Sequence, residues 1–252
     1  MSVGFNDLFQ RAVGVEPYPY QVALAEREEV PVLVRAPTGS GKTAAAVMAW
    51  LYRRRFHPDP GVRAETPRRL VYCLPLRTLV EQTAKDVSEW LRRLSLTDVV
   101  GLHVLMGGEV ERDWVRDPRS DAIVIGTMDM LLSRALNRGF AVARSRWPIE
   151  FGLVNNDCFW VLDEVQLMAN GVVTSVQLQG LREVLGTFRP ARSMWMSATA
   201  AASWLEGPDF TAPRDDQVLE LGFSDAAHPD LGRRLRARKV LRGVVVDADR
   251  GW

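Results

Sequence analysis

Short apolar runs alternate with longer segments of helical period along most of the chain, and this alternation limits the fold more than any other feature. The runs fall at residues 31–35, 70–74, 99–105, 122–125, 158–162 and 194–196. Strands that are apolar on both faces need cover on both, which is the pattern of a mostly parallel sheet held between two helical layers. Segments 42–55, 77–94, 128–136 and 173–185 supply the helices. In 77–94 the apolar residues Leu79, Val80, Ala84, Val87, Trp90, Leu91 and Leu94 recur at helical spacing. An α/β sheet of this kind binds ligands beyond the carboxyl ends of its strands, so the residues directly after the runs are the candidates for chemistry. The Pro-, Gly- and Arg-rich stretch 53–69 reads as an exposed connection. Residues 233–242 read as a short basic helix, either a solvated face or a nucleic-acid contact.

Directly after the first run come Ala36, Pro37, Thr38, Gly39, Ser40, Gly41, Lys42 and Thr43, followed by an alanine-rich helix start. Gly39 and Gly41 allow backbone conformations that turn successive N–H groups inward, forming an anion nest at a helix N-terminus. Thr38, Gly39, Ser40, Gly41, Lys42 and Thr43 therefore form a candidate phosphate cradle. Lys42 would reach the β- and γ-phosphates of ATP, and the Thr43 hydroxyl would ligate Mg²⁺. Ala36 stands where the usual pattern begins with Gly. A loop that hydrolyses its nucleotide also needs a strand ending in a carboxylate. The run 158–162 leads straight into Asp163, suited to hold the metal, and Glu164, suited to activate the attacking water. After the last run come Ser197 and Thr199, whose hydroxyls can bond to the acidic loop and relay nucleotide state.

Composition narrows the partners. The chain has 252 residues and a net charge of +1, enough for one substantial core and too balanced for a basic coat. Any nucleic-acid contact must come from local patches. Cys73 and Cys158 lie in separate apolar runs and read as reduced core thiols. His57, His103 and His228 are isolated from one another, which excludes a His-built metal nuclease centre. No stretch approaches the ~18 apolar residues of a membrane span, and the start lacks a secretory pattern, so a soluble, cytoplasmic protein without membrane contact is expected.

The ordered set formed by the phosphate loop at 36–43, Asp163-Glu164-Val165-Gln166 and Ser197-Ala198-Thr199 resembles the first RecA-like lobe of superfamily 2 helicases and translocases. The resemblance implies a RecA-like P-loop domain at 31–222. An N-terminal adenine-reading segment precedes it at 1–30, and a basic linker towards a second lobe follows at 223–252. It implies that Gln21, within Pro17-Tyr18-Pro19-Tyr20-Gln21, binds the adenine edge, with Phe5 or Phe9 stacking on the ring; a structural Gln21 is the alternative. It places Gln166 in the catalytic set with Glu164 and Lys42. It also implies backbone-tracking contacts to a single strand from Arg77 and Thr78, from Gly107 and Gly108, and from Gly126 and Thr127. Gly after a strand is equally ordinary turn chemistry.

Segments 160–168 and 126–136 are most similar to the CRISPR-associated helicase–nuclease of type I interference systems, with Gln166 most like the variant type I-U or I-G. That resemblance implies single-stranded DNA as the polymer and recruitment by an RNA-guided CRISPR surveillance complex. It also implies a second RecA-like lobe and an HD nuclease domain, both expected to be absent from this chain. Too few residues follow Thr199 for the second lobe, so the chain alone is expected to bind ATP weakly and hydrolyse it slowly, as a fragment or a split subunit. An RNA helicase, a restriction translocase or a non-catalytic docking module are the rival readings.

Overall fold

The computed structural model describes residues 3–107 and 113–237. Its centre is a parallel sheet of β1 (Leu33–Arg35), β2 (Arg69–Leu74), β3 (Val100–Leu105), β4 (Asp121–Thr127), β5 (Cys158–Asp163), β6 (Ala191–Ser197) and β7 (Val218–Glu220). The strands lie in the order β3-β4-β2-β5-β6-β1-β7, every pairing parallel. The expected α/β RecA-like sheet with helices on both faces is what forms. Alternation along each strand sorts its side chains: Leu70, Tyr72 and Leu74 of β2 point to one face, Val71 and Cys73 to the other.

On the first face lie α1 (Phe5–Val13), α2 (Pro19–Glu26), α3 (Lys42–Leu51) and α5 (Arg77–Arg93). The second face is covered by α6 (Met128–Ala135), α7 (Trp147–Asn155) and α8 (Asn170–Leu185). Both layers press on the same strands, which is why those strands carry no polar alternation. Cys73 and Cys158 are buried free thiols. No helix among the described residues is long and apolar enough to cross a membrane.

Stretch 53–69 departs from the expected exposed connection. A wide helical turn over Tyr52–Phe56 leads into α4 (Pro60–Glu65), and Arg69 is the buried first residue of β2. The arginines that suggested solvent are used as donors. Arg54 and Arg55 converge on Asp121 at the start of β4, at 2.9 and 2.6 Å, and Arg69 satisfies the carbonyls of Pro118, Leu153 and Asn156. Strand β7 has no periodic signal at three residues; it forms by pairing with the outer edge of β1. The basic helix starts earlier than expected, as α10 (Pro229–Leu235), and residues 238–242 lie outside the described residues. With α9 (Phe223–Ala227) it folds back on the domain: Asp225 accepts from the Tyr20 N–H at 2.9 Å, and Tyr18 packs edge-on against His228.

Helices α6 and α7 are locked by a buried ion cluster. Glu150, fully buried, lies 2.7 Å from Arg134 Nε, itself fully buried, and 3.0 Å from Arg146. Burial pulls the Arg134 pKa down while Glu150 opposes it. Glu150→Ala would strand both guanidiniums, so we expect a loss of about 3–5 kcal/mol of stability. Urea denaturation checks this, and a loss below about 1 kcal/mol would place the cluster in the class of solvated pairs.

Candidate functional site

β1 ends at Arg35, and the Ala36 N–H continues its pairing with a bond to the Ser197 carbonyl at 3.0 Å. Ala36 is buried and has no positive φ, so this position has no need of glycine. Gly39 and Gly41 do need it, with φ of +83° and +82°. The loop's carbonyls are engaged from outside. Ser40 Oγ donates to Pro37 O at 2.7 Å, Tyr20 Oη to Ser40 O at 2.9 Å, Gln21 Nε2 to Gly41 O at 3.1 Å and Arg234 to Gly39 O at 3.0 Å. The Ser40 N–H is taken within the loop by Pro37 O at 3.2 Å, while the ties on Ser40 O and Gly41 O turn the following N–H groups of Gly41 and Lys42 towards the start of α3. Tyr20 lies in the segment singled out for Gln21, and Arg234 in the basic stretch, but neither was assigned this task from the sequence.

Lys42, almost wholly buried, folds back over the loop. Its Nζ lies 3.2 Å from Ala36 O and 3.1 Å from Glu164 Oε1. Asp163, at the tip of β5, accepts from the Glu164 N–H at 2.9 Å through one oxygen and from Tyr72 Oη at 2.8 Å through the other. Burial pushes its pKa up to about 6, against the pull of the Lys42 charge. Glu164 sits at φ +56°, a left-handed conformation costly for a side-chain-bearing residue and typical of functional turns. Its second oxygen accepts from the Gln166 amide, whose Oε1 accepts from Ser197 Oγ at 2.7 Å. Ser197 Oγ in turn accepts the N–H groups of Thr199 and Ala200, both at 3.0 Å. Thr199 thus enters through its backbone, and its exposed side chain takes no part in the line.

A cavity of about 350 Å³ lies between the phosphate loop and α5, lined by Gly39, Lys42, Thr43, Gln82, Asp163 and Glu164 among others. Its lining suits a nucleotide with Mg²⁺: loop N–H groups, the Lys42 ammonium, the Thr43 hydroxyl and the Asp163 carboxylate. That is the sparse oxygen set Mg²⁺ takes when phosphates complete its shell. A comparable cavity of 340 Å³ between α3, α4, β5 and β6 lies at the far end of α3, lacks these donors, and is not a nucleotide site.

Around the adenine position the structure differs from expectation. Phe5 and Phe9 are each 1% exposed, packed on one another and on Tyr52 inside the core, so neither can stack on a base. Apolar packing of the amphipathic α1 has claimed both rings. Gln21 is also buried, its Oε1 accepting from the Tyr18 N–H at 2.8 Å while its Nε2 holds Gly41. It ties the N-terminal segment to the phosphate loop.

The residues expected to touch a polymer follow three neighbouring strands at one end of the sheet. Arg77 and Thr78 are exposed at the start of α5 after β2, Thr127 is half-buried at the start of α6 after β4, and Gly107 follows β3. Neither helix start has a side-chain cap, which leaves its N–H groups for another acceptor. Gly126 has a packing reason instead, since a Cβ there would meet the Leu105 carbonyl at 2.8 Å. Gly108 lies outside the described residues.

Several known proteins share this architecture. DEAD-box helicase Mss116 bound to ssRNA and UDP-BeF aligns at a TM-score of 0.58 and 19% identity, over 88% of this chain and 45% of that one. DUF1998 helicase MrfA bound to DNA aligns at 0.61 and 16% identity, over 88% of this chain and 30% of that one. Activating signal cointegrator 1 complex subunit 3 of Gallus gallus is 27% identical over 173 residues, which are 67% of this chain and 7% of that protein. The chain therefore spans less than half the length of these relatives. A match to the DEAD/DEAH box helicase family covers residues 20–206, and with the phosphate loop, the acidic strand tip and the parallel sheet in place the chain belongs to that family.

Proposed function

We propose that this chain is the ATP-binding first motor lobe of a CRISPR-associated superfamily 2 DNA helicase, coupling ATP hydrolysis to tracking along single-stranded DNA when a second lobe closes over its sheet edge. The observation that carries the motor reading is the unbroken line Lys42–Glu164–Gln166–Ser197 joining the phosphate loop to the end of β6. In this reading the N–H groups of 38–43 and the Lys42 ammonium bind the phosphates. Thr43 and Asp163 hold Mg²⁺, which would supply charge neutralisation at the phosphoryl oxygens. Glu164 orients and deprotonates the attacking water. Lys42 must exchange Glu164 for phosphate when ATP enters, which frees the carboxylate as a base. Gln166 transmits that exchange to Ser197 and the backbone of Thr199. Gln21 senses the nucleotide through its bond to Gly41, and contact with the adenine edge requires it to leave its bond with the Tyr18 N–H.

Arg77, Thr78, Gly107 and Thr127 line the polymer path beside the nucleotide half of the same end of the sheet. Backbone contacts of that kind suit sequence-independent tracking. The CRISPR-associated assignment, with its surveillance complex and HD nuclease as partners, rests on the wording of 160–168 and 126–136. MrfA was solved with DNA and Mss116 with ssRNA, so the polymer is the point to test. In an assembly containing the second lobe, ATPase activity is expected to rise with single-stranded DNA. A rise with single-stranded RNA alone moves the reading to an RNA helicase. Partner binding that survives Lys42→Ala in a chain without nucleotide affinity makes it a docking module.

A further inference from the structure

Tyr72 lies in the middle of β2, completely buried, among Leu70, Val71 and Leu74. A phenylalanine would satisfy that apolar setting. A buried hydroxyl is costly without a partner, so what this one bonds to matters. Tyr72 pairs in register with Val161, two residues before Asp163 and on the same face of β5. Its hydroxyl donates to Asp163 Oδ2 at 2.8 Å. The tyrosine hydroxyl thus holds one of the two side chains that the proposed function gives to Mg²⁺, at the wall of the 350 Å³ cavity.

We infer that Tyr72 is a positioning residue for the metal site, holding the Asp163 carboxylate in the orientation that Mg²⁺ requires. The Tyr72 proton goes to Asp163 Oδ2 at 2.8 Å. The Glu164 N–H takes the other oxygen, so the carboxylate is fixed at both ends, with its remaining lone pairs available to the cavity. Tyr72 therefore acts as a hydrogen-bond donor to a ligand and not as a ligand itself. Ligand-orienting partners of this kind typically change metal affinity by about 10- to 100-fold when removed.

This inference rests on reading the site as one for ATP with Mg²⁺. The experiment follows binding of a fluorescent ADP analogue to the 252-residue chain, in EDTA and across a Mg²⁺ titration, for wild type and Tyr72→Phe. The expected result is unchanged affinity in EDTA and a Mg²⁺ half-saturation raised about 10-fold or more. A merely structural tyrosine would shift both affinities together or neither. Tyr72→Met, which also fills the apolar face without a hydroxyl, repeats the test if the first variant melts early. An identical Mg²⁺ titration in wild type and both variants overturns the inference alone. A wild-type chain whose nucleotide binding ignores Mg²⁺ overturns the inference together with the function beneath it.

Discussion

Glu164→Gln, in the chain assembled with a second lobe, is expected to lower single-turnover ATP hydrolysis by about 10²–10⁴-fold while the nucleotide stays bound. The substitution keeps the size of the side chain and removes its charge and its basicity. Asp163 is untouched, so the metal position persists, and Tyr72 and the Glu164 backbone still hold it. Lys42 loses its carboxylate partner, now 3.1 Å away, and becomes more available to phosphate, so ATP affinity should hold or rise. The new amide faces the Gln166 amide donor and must turn its own oxygen towards it, which preserves the line to Ser197. A rapid-quench assay with labelled ATP beside equilibrium binding separates the two effects. A variant that keeps more than about a tenth of wild-type turnover would remove Glu164 from the role of base.

How much of this was legible in the sequence depends on where each residue's signal lies. Lys42, Thr43, Asp163 and Glu164 stand out because the motif sets particular side chains at fixed offsets from a strand end, and the fold brings all four to one cavity. Those offsets survive any rearrangement of the rest. The six apolar runs are legible for a similar reason, since burial on both faces leaves no room for polar alternation. Tyr72 is different. Within a continuously apolar run it looks like one more core aromatic, and only the pairing of β2 with β5 brings its hydroxyl to Asp163. Long-range register is the information that a linear pattern lacks.

The same holds for charge. Arg54, Arg55 and Arg69 suggested a solvated connection, whereas their guanidiniums close carbonyls and Asp121 from elements far along the chain. Arg134 and Glu150 are unremarkable in sequence and fully buried in the fold. The adenine side shows the opposite error. The resemblance singled out Gln21, which the fold sets beside the phosphate loop, yet the aromatic partners suggested for it belong to the core face of α1. An amphipathic helix gives its aromatic residues to the core first, and a stacking role is open only to rings left outside it.

Lys42→Ala tests the other half of the site, the part that holds ATP rather than cleaves it. The Lys42 side chain is 5% exposed, its ammonium satisfied by Ala36 O, Pro37 O and Glu164. Those are contacts it can trade for phosphate oxygens with little movement. Removing it leaves the N–H nest intact but takes away the one cation at the β/γ position, and it leaves Glu164 to repel the incoming phosphates. A hydrogen bond to a charged group contributes about 1.5–3 kcal/mol, equivalent to roughly one to two orders of magnitude in the dissociation constant. Calorimetric titration of ATP with Mg²⁺ into wild type and Lys42→Ala should show that loss. Lys42→Arg should recover only part of it, because the planar guanidinium does not match the point-charge geometry of the loop. The pairing with Glu164 makes the test sharper. If repulsion from the unpartnered carboxylate contributes, the double variant Lys42→Ala with Glu164→Gln should bind ATP more tightly than Lys42→Ala alone, although neither hydrolyses it. Equal ATP affinity in wild type and Lys42→Ala would place the phosphates away from the loop at 36–43 and remove the basis for a motor.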